Sequence, residues 1–234
     1  MTKKRVFFGV AIIVLILAGY YLYLTLKPPT AFLTDEQLIT ELNRYDQKLQ
    51  TEVIVNKQQL DARHYYVPIE LKDGKSGMSF WKWYRGDWKL LQITTHPFLR
   101  WQLDDKDAST IHFVWHQQSK QESTLPIYLI ADRSYHVSND VHRYEPRVQL
   151  ESAISVTAYG AKRIPSEWAT IMTSTNQPFI QDKFDFFQPY QGERYTIYAQ
   201  YLDIFSVPSN RSYLVDHAKS TFDYVMHIER YQLE

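Results

Sequence analysis

The sequence predicts an α+β protein: an N-terminal single transmembrane helix, then one amphipathic helix, then a mainly antiparallel β roll or sandwich. Three observations predict it. A basic cluster at the start is followed by a long uncharged apolar run. A short segment with helical apolar spacing comes next. The rest is rich in tyrosine, tryptophan and β-branched residues, in short blocks between turn residues. The boundaries read as 1–27 for a cytoplasmic tip and membrane anchor, 28–50 for a spacer and the amphipathic helix, and 51–234 for a β-rich extracytoplasmic domain.

The apolar run extends from Val6 to Leu26, between Lys3-Lys4-Arg5 and Lys27-Pro28-Pro29. At 1.5 Å per residue it covers about 30 Å, the hydrocarbon thickness of a bilayer. A secretory signal has a shorter apolar region, about 7–15 residues, and ends in small residues. Here Ala18-Gly19 is followed by bulky Tyr20, Tyr21, Leu22 and Tyr23, so the run reads as an uncleaved signal anchor in contact with lipid through residues 6–26. Three basic residues precede it and only Lys27 follows directly. The positive-inside rule therefore expects a cytoplasmic N-terminus and an extracytoplasmic domain in the cell membrane. There is no cysteine for lipid attachment.

Lys27-Pro28-Pro29-Thr30 reads as a stiff spacer. Thr34 is an N-cap with Gln37 three residues on, and Asp35 and Glu36 suit the positive end of a helix. Leu38, Leu42, Tyr45 and Leu49 repeat at helical spacing, to about Gln50. Strands are expected at Val53–Val55 and Tyr65–Leu71, the latter at an edge because of Pro68. Asp73-Gly74 makes a turn. Met78 to Thr95 reads as a hairpin turning at Gly86-Asp87, type II′, which pairs Arg85 with Trp88, Trp83 with Leu90 and Trp81 with Gln92. Ile111–His116, Pro126–Ala131, Arg147–Thr157, Arg194–Val207 and Thr221–Leu233 read as further strands, with a short helix after Pro165.

The segment from Thr34 to Thr95 resembles the cone-shaped rolls of nuclear-transport-factor-like exported domains, through its helix, the Asp73-Gly74 turn and the ending Gly86-Asp87-Trp88-Lys89-Leu90. The resemblance implies a curved sheet against a helix and no particular activity.

Composition excludes several function classes. All acidic residues lie beyond residue 27, so the exported part is slightly acidic, without the basic footprint that nucleic acid requires. No cysteine means no thiol catalysis, no iron–sulfur cluster and no disulfide. No P-loop, Rossmann glycine series or G-x-S-x-G occurs, and Arg85-Gly86-Asp87 is a turn. Asn210-Arg211-Ser212 reads as a polar turn. His112 and His116 lie too far apart along a strand to share a metal, at about 3.3 Å per residue. His136 and His142 flank a polar loop with Asp132, Asn139 and Asp140, which lacks the spacing of a known site. Asp104, Asp105 and Asp107 form an acidic turn. No metal, no cofactor and no catalytic residue are expected.

What stands out is aromatic content, 15% with 18 tyrosines and six tryptophans. The hairpin register puts Trp81, Trp83 and Trp88 on one face, a candidate binding surface if exposed and core if not. The expected function is that of a membrane-anchored binding or scaffold protein of the cell envelope, acting on an envelope protein or cell-wall glycan. The alternative is an envelope hydrolase of glycan or peptidoglycan using Asp104, Asp105 or Glu151 with a histidine.

Overall fold

Lys3 to Leu26 form one unbroken helix, α1, and the Lys27 amide still reaches back to the Tyr23 carbonyl at 2.9 Å before Pro28 ends it. Its large side chains face outward all round, with Phe7 78%, Leu15 72% and Leu26 69% exposed. The computed structural model describes residues 3–45, 50–118, 121–138, 141–175, 195–200, 212–214 and 221–233. Counted over the described residues, no helix is long and apolar enough to cross a membrane. The expected transmembrane helix is thus present as a helix but does not reach that count. Its side chains are described without a break only from Val10 to Leu26, whereas the sequence is uncharged from Val6.

The amphipathic helix α2 spans Asp35–Tyr45. Its capping box is reciprocal: the Thr34 amide donates to Gln37 Oε1 at 2.9 Å, and the Gln37 amide donates to Thr34 Oγ1 at 3.3 Å. The continuation toward Gln50 lies partly outside the described residues. Strands β1 (Thr51–Ile54), β2 (Gln58–Asp61), β3 (His64–Leu71), β4 (Ser76–Tyr84) and β5 (Asp87–Thr94) follow. Next come β6 (Phe98–Gln102) and β7 (Ile111–His116), then β8 (Ser123–Ala131), β9 (Ser134–Ser138), β10 (Val141–Glu145), β11 (Val148–Val156) and β12 (Tyr159–Arg163). Helix α3 (Ser166–Thr175) starts after Pro165, as expected. The described remainder holds β13 (Thr196–Ala199), β14 (Ser212–Leu214), β15 (Thr221–Tyr224) and β16 (Met226–His227). The long strands expected at Arg194–Val207 and Thr221–Leu233 are therefore shorter, and 201–207 and the Asn210-Arg211 turn lie outside the described residues.

The protein is α+β, with three α-helices and mostly antiparallel sheets among the described residues. Three sheets stack in layers. The first has the order β1-β3-β4-β5-β14, with β2 also on β3. The second is β12-β7-β6-β15, and the third is β11-β8-β13-β16, where β13 and β16 run parallel. Helix α2 covers the outer face of the first sheet: Leu38 and Leu42 pack with Val67, Ile69, Trp81, Leu90 and Ile93. Between the first and second sheets lie Tyr66, Met78, Phe80, Leu99, Trp101 and Val114. Between the second and third lie Phe98, Phe113, Trp115, Leu125, Ile127 and Leu129, with Trp168 and Met172 of α3. A middle sheet covered on both faces explains why every residue of β7 is buried. The layers are stitched by polar bonds: Tyr66 Oη donates to the Trp115 carbonyl at 2.6 Å, and the His116 Nδ1 bonds the Gly77 carbonyl at 2.8 Å. Gly160 is needed where β12 crosses Trp115, because a Cβ there would overlap the indole ring.

Two expectations about the first sheet need correction. Strand β3 is not an edge. Pro68 sits where β2, paired with 64–66, hands over to β1, paired with 69–71, so a missing N–H costs little there. The hairpin turn is centred on Arg85-Gly86, with φ of +52° and +85°, a type I′ pattern that demands left-handed backbone at both positions. The pairs are Tyr84 with Asp87, Trp83 with Trp88 and Trp81 with Leu90. Partners moved by two residues, one side-chain period, so the three tryptophans still share a face. The roll resemblance carries over only to a sheet with one helix on it; here a second sheet closes the other face.

Candidate functional site

All six tryptophans are buried, and this decides the aromatic question for Trp81, Trp83 and Trp88, exposed only 0%, 2% and 6%. They are not an open binding surface. Their face is covered by the spacer, residues 27–33. The Trp83 Nε1–H donates to the Lys27 carbonyl at 3.1 Å, and the Trp88 Nε1–H is shared by the Thr30 and Ala31 carbonyls at 3.3 Å each. Phe32 stacks on Tyr65 with centroids 3.9 Å apart and meets Trp88 edge-on at 4.9 Å. Trp81 donates instead to Ser79 Oγ at 3.0 Å within the sheet. The indoles thus satisfy the carbonyls of a proline-containing strap that has no secondary structure of its own.

The strap brings the end of α1 against the domain. Arg63 Nη2 donates to the Thr25 carbonyl at 3.3 Å, satisfying one of the orphan carbonyls at the helix end. The Arg85 guanidinium lies 5.4 Å from the Tyr21 ring and 4.9 Å from the Tyr84 ring, within cation–π range. Leu24 and Lys27 pass beside Gly86. The junction of helix and domain is therefore a packed joint made by the β2–β3 turn and the β4–β5 tip.

The exposed aromatic face lies elsewhere, on β9 and β10, which form a separate two-stranded sheet. Tyr144 pairs with Tyr135 and His142 with Val137, so all four share one face. Tyr135, Val137 and Tyr144 are all more than half exposed, and the Tyr135 hydroxyl and His142 Nδ1 hydrogen-bond each other. The polar loop expected between His136 and His142 is instead a hairpin, and the sequence signal for it is the alternation of Tyr135 and Val137. Asn139 and Asp140 lie outside the described residues. Among the described residues no three metal-ligating side chains come together.

The hydrolase candidates do not converge. Asp104 Oδ1 accepts the Lys106 amide at 3.0 Å and Asp107 Oδ1 accepts the Ser109 amide at 2.9 Å, so these carboxylates shape a turn. Asp105 and Glu151 are exposed, Glu151 on the third sheet. A groove of about 400 Å³ between β13 and β15 is lined, among the described residues, by Arg100, Tyr195, Asp223 and Tyr224 but by no histidine or glutamate. Among the described residues, an acid–histidine pair is formed by Asp61 and His64, whose Nδ1 lies 2.8 and 2.9 Å from the two carboxylate oxygens. Burial pushes the Asp61 carboxyl up, but the hydrogen bond and charge of His64 and nearby backbone amides hold it below the usual range.

Three buried histidines carry a pH consequence. His96, His112 and His116 each bond a backbone carbonyl through Nδ1, those of Phe98, Thr110 and Gly77. Burial lowers the pKa of each below the ordinary 6.5, outweighing the carbonyl bonds. The unfolded chain then binds more protons than the folded one in the window below about 6.5. Stability is full above that value and falls as pH drops toward the folded pKa values, at up to about 1.4 kcal/mol per pH unit per histidine. Urea midpoints of the full chain in detergent should fall from pH 7.5 to pH 5.5; a flat profile would contradict the burial of these imidazoles.

No protein-family model matches the sequence, no curated protein matches it, and no solved structure matches it.

Proposed function

We propose that this chain is a single-pass membrane protein with a cytoplasmic N-terminus, and that it works outside the membrane as a binding or scaffold protein of the cell envelope. One observation carries the reading: a continuous helix with apolar side chains exposed on every side is fixed to the domain by a packed joint. In water such a helix exposes far more apolar surface than a soluble protein tolerates; in lipid it is satisfied. The uncharged run Val6–Leu26 rises about 30 Å at 1.5 Å per residue, close to the thickness of a bilayer core. The basic residues before it and the tyrosines near its far end support the orientation.

For the binding role the support is the face of Tyr135, Val137, His142 and Tyr144. A lone two-stranded hairpin is marginal in water, and aromatic side chains anchor interfaces or stack on sugars. The partner is an envelope protein or a cell-wall glycan. A photo-crosslinking residue replacing Tyr144 in the full-length protein tests this in intact cells. A discrete adduct is expected from position 144 and none from Tyr45, which is also more than half exposed, and digestion by protease or by glycan hydrolase identifies its class. Equal labelling from both positions, or none from 144, would overturn the assignment.

A further inference from the structure

The joint between helix and domain contains more than a tether requires. The Arg85 backbone is left-handed, at φ +52°, a place where Asn, Asp or Gly would sit with less strain. Strain held in a tight turn points to a use for that side chain. Arg85 projects beside Tyr21, more than a turn back from the end of α1, so the β4–β5 tip reaches down the helix. Arg63 stands at Thr25, and Lys27 closes the collar. The acidic groups nearby are engaged: Asp87 pairs with Lys89 at 2.8 Å, and Asp61 holds His64. The result is a cationic cluster of Lys27, Arg63 and Arg85, with Tyr21 and Tyr84 against Arg85, where an apolar helix meets the domain.

We infer that this collar is a lipid-contact surface: the β4–β5 tip and the β2–β3 turn rest on the outer leaflet and take the phosphates of anionic phospholipids. The inference rests on the membrane reading above. Tyrosine rings favour the headgroup level, which places the neighbouring guanidinium of Arg85 among the phosphates. Guanidinium matches phosphate with paired N–H donors, and a basic cluster next to a membrane helix is drawn to anionic lipid. The joint then holds the domain upright at a fixed height, because residues 27–33 are pinned by Trp83, Trp88 and Tyr65.

The test uses the full chain in vesicles of phosphatidylcholine, with or without phosphatidylglycerol. The absence of native cysteine permits one environment-sensitive label, through Asp87→Cys at the tip or Tyr144→Cys on the remote hairpin. Headgroup spin-labelled lipid should quench the tip label several-fold more than the remote one. Phosphatidylglycerol should deepen that quenching, and added salt or the pair Arg63→Gln and Arg85→Gln should reverse the gain. Equal quenching at both sites in protein that floats with the vesicles would overturn the collar and leave the anchor intact. Protein that does not float would overturn the anchor itself. The lipid comparison needs only the label variants, so it stands even if the arginine variants fold poorly.

Discussion

Replacing Trp81 with alanine should destabilise the protein by about 3–5 kcal/mol, the range for removing a fully buried large aromatic side chain. Trp81 is 0% exposed and sits between α2 and the first sheet, with Leu38, Leu42, Val67, Ile69 and Leu90 around it. The change leaves a cavity that these neighbours cannot fill from a pleated sheet. It also removes the donor to Ser79 Oγ, a hydroxyl that itself donates to the Val67 carbonyl at 3.3 Å. Trp81→Phe should recover more than half of the loss, since it restores most of the volume. Urea unfolding of the full chain in detergent gives the answer through the midpoint, at unchanged slope. Full stability in Trp81→Ala, with loss of a binding activity instead, would return this side chain to the surface role that its burial argues against.

The second large effect concerns α1. Two arginines, Leu15→Arg with Ile16→Arg, fall near the middle of the apolar run. If α1 is the anchor proposed above, each costs about 2.5–3.5 kcal/mol at the helix centre, so the pair removes most of the free energy that would favour insertion. The chain should move from the carbonate-washed membrane fraction to the soluble fraction, or be degraded. A surface helix on a soluble protein would gain solubility from the same change and show no relocation. Retention equal to wild type would contradict the anchor.

What was legible in the sequence was local. The Thr34–Gln37 capping box, the helix after Pro165 and the strand Ile111–His116 each follow from signals within one turn or one strand, and each stands in the structure. The hairpin was legible in its faces but not in its turn. Glycine supplies the second left-handed position of a type I′ turn, and nothing in the sequence announced that Arg85 would take the first. Pro68 pointed to an edge because the local rule knows nothing of two short strands sharing one side of β3. The role of Trp83 and Trp88 was hidden for the same reason. Their partners, Lys27 and Thr30, lie more than fifty residues away, and no periodicity encodes a strap crossing a sheet. The aromatic face of β9 and β10 was obscured by its polar neighbours: Asp132, His136, Asn139 and Asp140 read as a loop although Tyr135 and Val137 alternate.

The measurement that bears most directly on the central claim is thiol labelling of intact cells with a membrane-impermeant reagent. The chain has no cysteine, so single substitutions report cleanly. Glu151→Cys, on an exposed position of β11, should label in intact cells, and Thr2→Cys should label only after the membrane is opened. Labelling of Thr2→Cys in intact cells, or protection of Glu151→Cys until lysis, would contradict a domain held outside the membrane by α1.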